Sequence, residues 1–289
     1  MTTQTTTTNV DHVTDVGFRA WVAELITMIG AAGMLTQTAD TGQIDTAIVN
    51  RPAINTDGGY AIFRFNDTQQ ANAPIFIRFN FGTGGNTSVP RLRVIVGTAS
   101  NGSGTVSGLG VGLTDLAGTT LTSTSINYTT RVCVVPGFFG LMWKLGGATS
   151  GTVMGFFAIC RSVNASQVPT AQAAAIYTAR ANPACTMARY ATGTTYNMLA
   201  GTYSLIVGGP ASSLVGGEAQ VYKHYLTLPR VVPNMFLLTV LGSEIGNNTS
   251  FTATPVGTTS RNYISGGLDG VPQVGFPQIN NNVMAMIWE

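Results

Sequence analysis

Most catalytic and metal centres are built from histidine, cysteine and carboxylate side chains, and this chain is poor in all three. Two histidines, three cysteines and twelve acids are spread over 289 residues. His12 sits in a polar, Thr-rich opening, and His224 lies in the strand-like stretch Val221 to Leu226, where a lone imidazole reads as a satisfied sheet residue rather than a base. Cys133, Cys160 and Cys185 are odd in number, far apart and without a CxxC pair, which indicates neither a disulfide framework nor a zinc site. In an apolar run such as Phe156 to Cys160 a cysteine behaves as a small buried hydrophobe. The acids fall in turns: Asp40 and Asp45 flank a Gly-containing turn, Asp67 follows Asn66 in a hairpin loop, and Asp269 lies in a Gly-rich turn. A glycosidase needs two carboxylates brought close together, and no spacing here marks such a pair.

The remaining motifs also lack their chemical context. Gly102, Gly104, Gly108, Gly110 and Gly112 fit neither GxGxxG nor GxxxxGK[ST], and no strand feeds a helix around them, so they read as a loop. GxSxG, HExxH and EF-hand patterns do not occur. Asn-x-Ser/Thr triplets at Asn86, Asn127 and Asn248 follow from a composition rich in Asn and Thr. Two aromatic groups, Phe138, Phe139 and Trp143, then Tyr177, Tyr190, Tyr196 and Tyr203, could stack on sugar rings. They read first as β-core residues, because aromatics favour strands. No cofactor is expected.

The elements that would position these residues are mostly short strands. Residues 1–13 are Thr-rich and almost free of apolar side chains, and read as a flexible arm, ordered only if a neighbour captures it. Val16, Phe18, Trp21, Val22, Leu25, Ile26 and Ile29 then recur at helical spacing, with Thr14 or Asp15 as N-cap and Gly30 and Gly33 as stops. This predicts one amphipathic helix at about residues 15–30, whose face Phe18, Trp21, Val22, Leu25 and Ile26 would serve as an assembly anchor. Beyond Thr36 the period changes. Runs at Tyr60 to Phe65, Ile75 to Phe81, Arg91 to Val96, Asn127 to Val135, Phe138 to Lys144, Val153 to Arg161, Met198 to Val207, Ala219 to Leu228 and Phe236 to Leu241 are short, apolar or β-branched, and bounded by Gly or Pro. In the second run Ile75, Ile77, Phe79 and Phe81 share one face, while Phe76, Arg78 and Asn80 share the other. The expected fold is mainly β, an antiparallel β-sandwich or jelly-roll-like domain over residues 14–289 with one amphipathic N-terminal α-helix. Val283 to Trp288 is apolar enough to require packing against its own sheet or a neighbouring subunit.

Composition bears on function. Lys, Arg, Asp and Glu make up 9% of the chain, against about a quarter in an ordinary soluble domain, while 41 residues are Thr and 35 are Gly. A surface kept wet by hydroxyls, amides and backbone favours association over free diffusion. The net charge is +2, and Lys144 and Lys223 are the only lysines, so no basic patch for nucleic acid is expected. The opening residues lack the charged and apolar regions of a secretory signal, and no apolar run reaches the roughly 20 residues of a membrane helix.

A resemblance adds to this reading. Phe18-Arg19-Ala20-Trp21-Val22, the segment Gly33 to Ile44, Arg51-Pro52, Gly59 to Asp67, Pro74 to Phe79 and Val96 to Gly102 together resemble the opening of virion structural proteins of tailed bacteriophages. The family supplies no mapped site, so no residue role is carried over. The resemblance implies a non-enzymatic virion component, assembled in the host bacterial cytoplasm and carried on the tail as fibre, baseplate-periphery or collar. Its expected partners are further copies of itself and other virion proteins. The alternatives are a capsid decoration protein, or a tail protein that binds or hydrolyses a host-surface glycan.

Overall fold

The computed structural model describes residues 2–9, 14–31, 33–85, 90–108, 114–117, 127–135, 138–146, 154–163, 169–179, 182–189, 221–223, 237–241, 250–253, 261–267 and 282–288. Within them the chain is mainly β, with antiparallel sheets and one helix near the N-terminus.

Helix α1 (Asp15–Gly30) starts where Thr14, in extended backbone, accepts a hydrogen bond from Gly17 N at 3.0 Å and so satisfies one of the amides that a helix start leaves open. Asp15 adds a negative charge to the first turn, where the helix dipole favours it. The chain leaves the helix through Gly33, whose positive φ of 67° a side chain would resist. Phe18, Trp21, Val22, Leu25, Met28 and Ile29 are buried, the three-and-four spacing of a single helical face.

That face packs on a five-stranded sheet in the order β2 (Leu35–Gln37), β3 (Asp57–Phe65), β4 (Phe76–Thr83), β5 (Pro90–Gly97) and β8 (Thr114–Ala117). Strand β5 shows the expected period of two, with Leu92, Val94 and Val96 buried between half-buried Arg91, Arg93 and Ile95. On β4 the face Ile77, Phe79 and Phe81, extended back to Ile75, is fully buried. A two-stranded hairpin of β6 (Ala99–Ser100) and β7 (Val106–Ser107) follows β5 in the chain.

A second sheet has the order β1 (Thr2–Asn9), β9 (Asn127–Val135), β10 (Phe138–Gly146), β11 (Met154–Val163), β12 (Pro169–Ala179) and β13 (Asn182–Arg189). Its face of Val132, Val134, Phe139, Leu141, Phe157 and Ile159 joins α1 and the inner face of the first sheet in one core. Phe79 sits at the junction, 6.0 Å from Phe63 on its own sheet and 6.3 and 5.8 Å from Phe139 and Phe157 across the gap, with rings steeply inclined as edge-to-face pairs prefer. Buried Arg161 ties the two sheets at their margin, donating to Asp67 and to Ala73 O in the β3–β4 loop while lying over Phe65.

A third sheet, β14 (Val221–Lys223), β15 (Leu237–Leu241), β18 (Asn282–Ile287), β17 (Arg261–Gly267) and β16 (Ser250–Ala253), approaches the opposite face of the second. A Cβ on Gly140 of β10 would stand 2.8 Å from Met286 Sδ of β18, so the two layers meet closely at this glycine. Cys133, Phe138, Met142, Ala158, Tyr263, Met286 and Ile287 are all buried. The apolar segment toward the C-terminus is thus packed on its own chain. The first sheet and most of the second are meanders, sequence neighbours lying side by side.

Two expectations meet a different arrangement. Thr2–Asn9, read as an arm needing a neighbour, lies antiparallel to β9 in unbroken register from Thr2↔Val134 to Asn9↔Asn127 of the same chain. Strands β12 and β13 occupy residues where the sequence predicts no strand. The expected run Met198 to Val207 lies outside the described residues, and Ala219 to Leu228 is described only at Val221–Lys223.

Candidate functional site

The outer face of the first sheet carries a cluster of charged and polar side chains from three strands. Because β4 pairs β3 and β5 in register, Ile62↔Arg78↔Ile95 and Tyr60↔Asn80↔Arg93 form rows, and the register shift between Asp57 and Gly59 brings Asp57 to the same face. Arg78 lies over the Tyr60 ring at 4.1 Å, donates from Nε to Asn80 Oδ1 at 2.8 Å and from Nη1 to Gly104 O at 2.6 Å. Asn80 Nδ2 and Arg93 Nη1 both donate to Asp57 Oδ2 at 2.8 Å. Arg91 Nη1 donates to Asn55 O at 2.8 Å and stands 3.9 Å from Asp57 Oδ1, which is buried and accepts no hydrogen bond. Burial lowers the Arg78 pKa, and nearby Arg93 adds to this, while Tyr60 and Asp57 oppose it.

Two loops enclose one side of the cluster. After β2 the chain bulges away from β3 and returns, and the Gln43 side chain fills the break: its Oε1 accepts from Ile62 N at 2.7 Å while its Nε2 donates to Thr38 O at 2.7 Å. The bulge meets the β6–β7 hairpin, with Thr41 N donating to Gly102 O at 2.9 Å and Ser100 donating to Asp40. Tyr60 Oη donates to Thr41 O at 2.9 Å. Gly104 has φ +99°, and a Cβ there would lie 2.2 Å from Tyr60 Oη, so the hairpin tip requires glycine for both backbone and space. Burial works against the Asp40 carboxylate, but hydrogen bonds from Ser100, Thr38 and Gly104 outweigh it and hold its carboxyl below the usual range.

This arrangement braces two loops on a sheet and holds fixed guanidinium and phenol groups at a surface. The described acids are occupied similarly elsewhere: Asp15 Oδ1 accepts from Arg51 N, Asp45 Oδ1 from Ala47 N, and Asp67 from both Gln69 N and Arg161. Among the described residues no group of three His, Cys, Asp or Glu could hold a metal ion, and no helix is long and apolar enough to cross a membrane.

The residues singled out from sequence fall in different places. Phe18, Trp21, Val22 and Leu25 are buried in the chain's own core, Trp21 edge-on to Phe81 at 5.8 Å, and Ile26 is partly buried against that core. Arg19, on the helix's flank, instead reaches outward to Val49 O at 2.6 Å and Asn50 Oδ1 at 3.0 Å, fastening the 45–51 loop to α1. Cys133 is buried in β9, and Phe138 and Phe139 are buried on opposite faces of β10. Cys160, Cys185, Trp143 and Tyr177 are placed by their backbones in β11, β13, β10 and β12. His12, His224, Asp269, Tyr190, Tyr196 and Tyr203 lie outside the described residues. The sequence predicts no such cluster, although the alternations Arg91-Leu92-Arg93 and Arg78-Phe79-Asn80, on neighbouring strands, are its visible trace.

Compared with protein-family models, curated proteins and solved structures, the chain matches none of them.

Proposed function

We propose that this chain is a non-enzymatic structural subunit of a tailed-bacteriophage virion, carried on the tail as a fibre, baseplate-periphery or collar component and associating there with further copies of itself and with other virion proteins. The observation that carries the reading is where its few charges go. Among residues whose exposure is described, Asp15, Asp45 and Arg64 are the only exposed charged side chains. Arg161, Asp67, Asp57, Arg78 and Arg93 are turned into pairing within the fold. A protein that must stay dispersed carries charge on about a quarter to a third of its surface. A surface of Thr, Ala, Asn and Gly has little to repel a neighbour, which suits a subunit covered by others.

High-resolution imaging of purified particles tests this. Density for the chain on the tail is the expected result. Density spread over the capsid lattice replaces the tail assignment with decoration. Absence from the particle overturns the proposal, and hydrolysis of host-surface polysaccharide by the purified chain is then the assay to run.

A further inference from the structure

Strand β1 stands at the edge of the second sheet and differs in composition from the strand it pairs with. Its sequence, Thr2-Thr3-Gln4-Thr5-Thr6-Thr7-Thr8-Asn9, contains no apolar residue. Its partner β9 places Val132 and Val134 in the buried core. The eight pairs between them bring Thr6 opposite Thr130 and Thr7 opposite Thr129, and what the register establishes between the two strands is a backbone ladder. Net hydrogen bonding of that kind scarcely offsets the entropy of ordering the eight residues. What keeps β1 on β9 is therefore its tether, the short connection from Asn9 to the start of α1 at Asp15, which holds the strand at high local concentration. A neighbouring copy packed against this edge presents an identical strand at similar concentration and with identical contacts.

We infer that β1 is an exchangeable strand, and that the β9 edge accepts Thr2–Asn9 from a second copy of this chain when subunits assemble. Exchange replaces each contact by its equal, so it needs no new interface chemistry, and it links subunits through a continuous sheet. The edge position is essential: β1 is the outermost strand, so its departure and replacement disturb no strand beyond it. The chemistry of the partner is fixed by register, because a threonine-rich extended strand that pairs antiparallel from Val134 to Asn127 is what this edge already holds. The inference requires self-association but not a virion, so it stands or falls separately from the proposed location.

Register supplies the test. Thr3 lies directly opposite Cys133, and Cα atoms of facing antiparallel residues are about 4.5–5.5 Å apart, within disulfide range. Full-length Thr3→Cys protein is prepared in isotopically heavy and light forms, mixed as dissociated subunits, allowed to associate and oxidised. Peptide mass spectrometry then reads the disulfide between position 3 and Cys133, with Thr3→Cys/Cys133→Ser as the control for links to Cys160 or Cys185. Complete exchange gives heavy–light peptides as about half of the total, the statistical share for equal mixing of two forms. Exclusively heavy–heavy and light–light peptides overturn the inference. Deletion of residues 2–9 gives an independent reading by sedimentation: a loss of at least about tenfold in self-association affinity is expected, restored in part by covalent return of the segment. Unchanged self-association of the deleted chain overturns the inference even if no disulfide forms.

Discussion

Replacing Phe79 by alanine removes the side chain on which the stacking of the first two sheets turns. Its ring is fully buried and meets Phe63 within its own sheet and Phe139 and Phe157 on the sheet opposite, all at 5.8–6.3 Å between centroids. Truncating a buried Phe costs about 3–5 kcal/mol, the upper part of the range applying where rigid neighbours cannot collapse into the space. Two facing sheets anchored by their own ladders are such neighbours, so a loss of about 4 kcal/mol is expected. For a chain of this size that lowers Tm by roughly 10 °C, at about 2–4 °C per kcal/mol. Phe79→Leu, which refills most of the volume, should lose about half as much. Chemical denaturation followed by circular dichroism, with hydrogen exchange read separately on β4 and β10, checks both the size and the coupling. A loss below about 1.5 kcal/mol, or exchange in β10 untouched while β4 is destabilised, would refute the face-to-face packing.

Three further outcomes follow from the site and the helix. Gly104→Ala forces a side chain onto φ +99° and against Tyr60 Oη; a loss of about 2–3 kcal/mol is expected in thermal unfolding, and Tyr60→Ala in the same chain should relieve the collision but not the backbone strain. Asp40, whose folded pKa is lowered from 3.8, contributes stability that is fully present above its unfolded value and lost as pH falls through its folded one. Asp40→Asn should therefore flatten the acid limb of a stability–pH curve below pH about 4, and an unchanged limb would show that its hydrogen bonds do not favour the charged form. Trp21→Ala should destabilise the isolated subunit by about 3–5 kcal/mol, because the indole is buried in the chain's own core, whereas Val16→Ser, at a side chain 72% exposed, should change subunit stability by no more than about 0.5 kcal/mol.

How much of this could be read from the sequence depended on whether the information was local. The helix was legible because its cap at Thr14, its apolar period from Phe18 to Ile29 and its glycine exit at Gly33 all lie within twenty residues. Strand β9 was legible for the same reason, its β-branched run standing between polar residues and Pro136-Gly137. Strand β12, with Ala171, Ala173, Ala174, Ala175 and Ala179, has a composition that strands usually avoid; it is a strand because β11 and β13 flank it. Strand β1 is the extreme case. Nothing in its side chains calls for burial, and its conformation comes wholly from a partner more than a hundred residues away.

The polar cluster was hidden by the same non-locality, and its assembly explains why so few charges suffice. Arg78 and Asn80 were visibly on one face of a strand, but their significance depends on Arg93 from β5, on Asp57 brought round by a bulge and on a hairpin tip more than twenty residues away at Gly104. Each guanidinium there replaces water with fixed acceptors, and apart from Asn80, which shares β4 with Arg78, the acceptors belong to other segments, so a charge used in this way fixes chain geometry instead of solvating a surface. Arg19 does the same for the 45–51 loop, and Arg161 for the β3–β4 loop. Charges that carry architecture are withdrawn from the task of keeping molecules apart. At most of the described charged positions the charge is used in this way, and the described surface is left with few charges free to repel a neighbour, as the proposed packing of subunits requires.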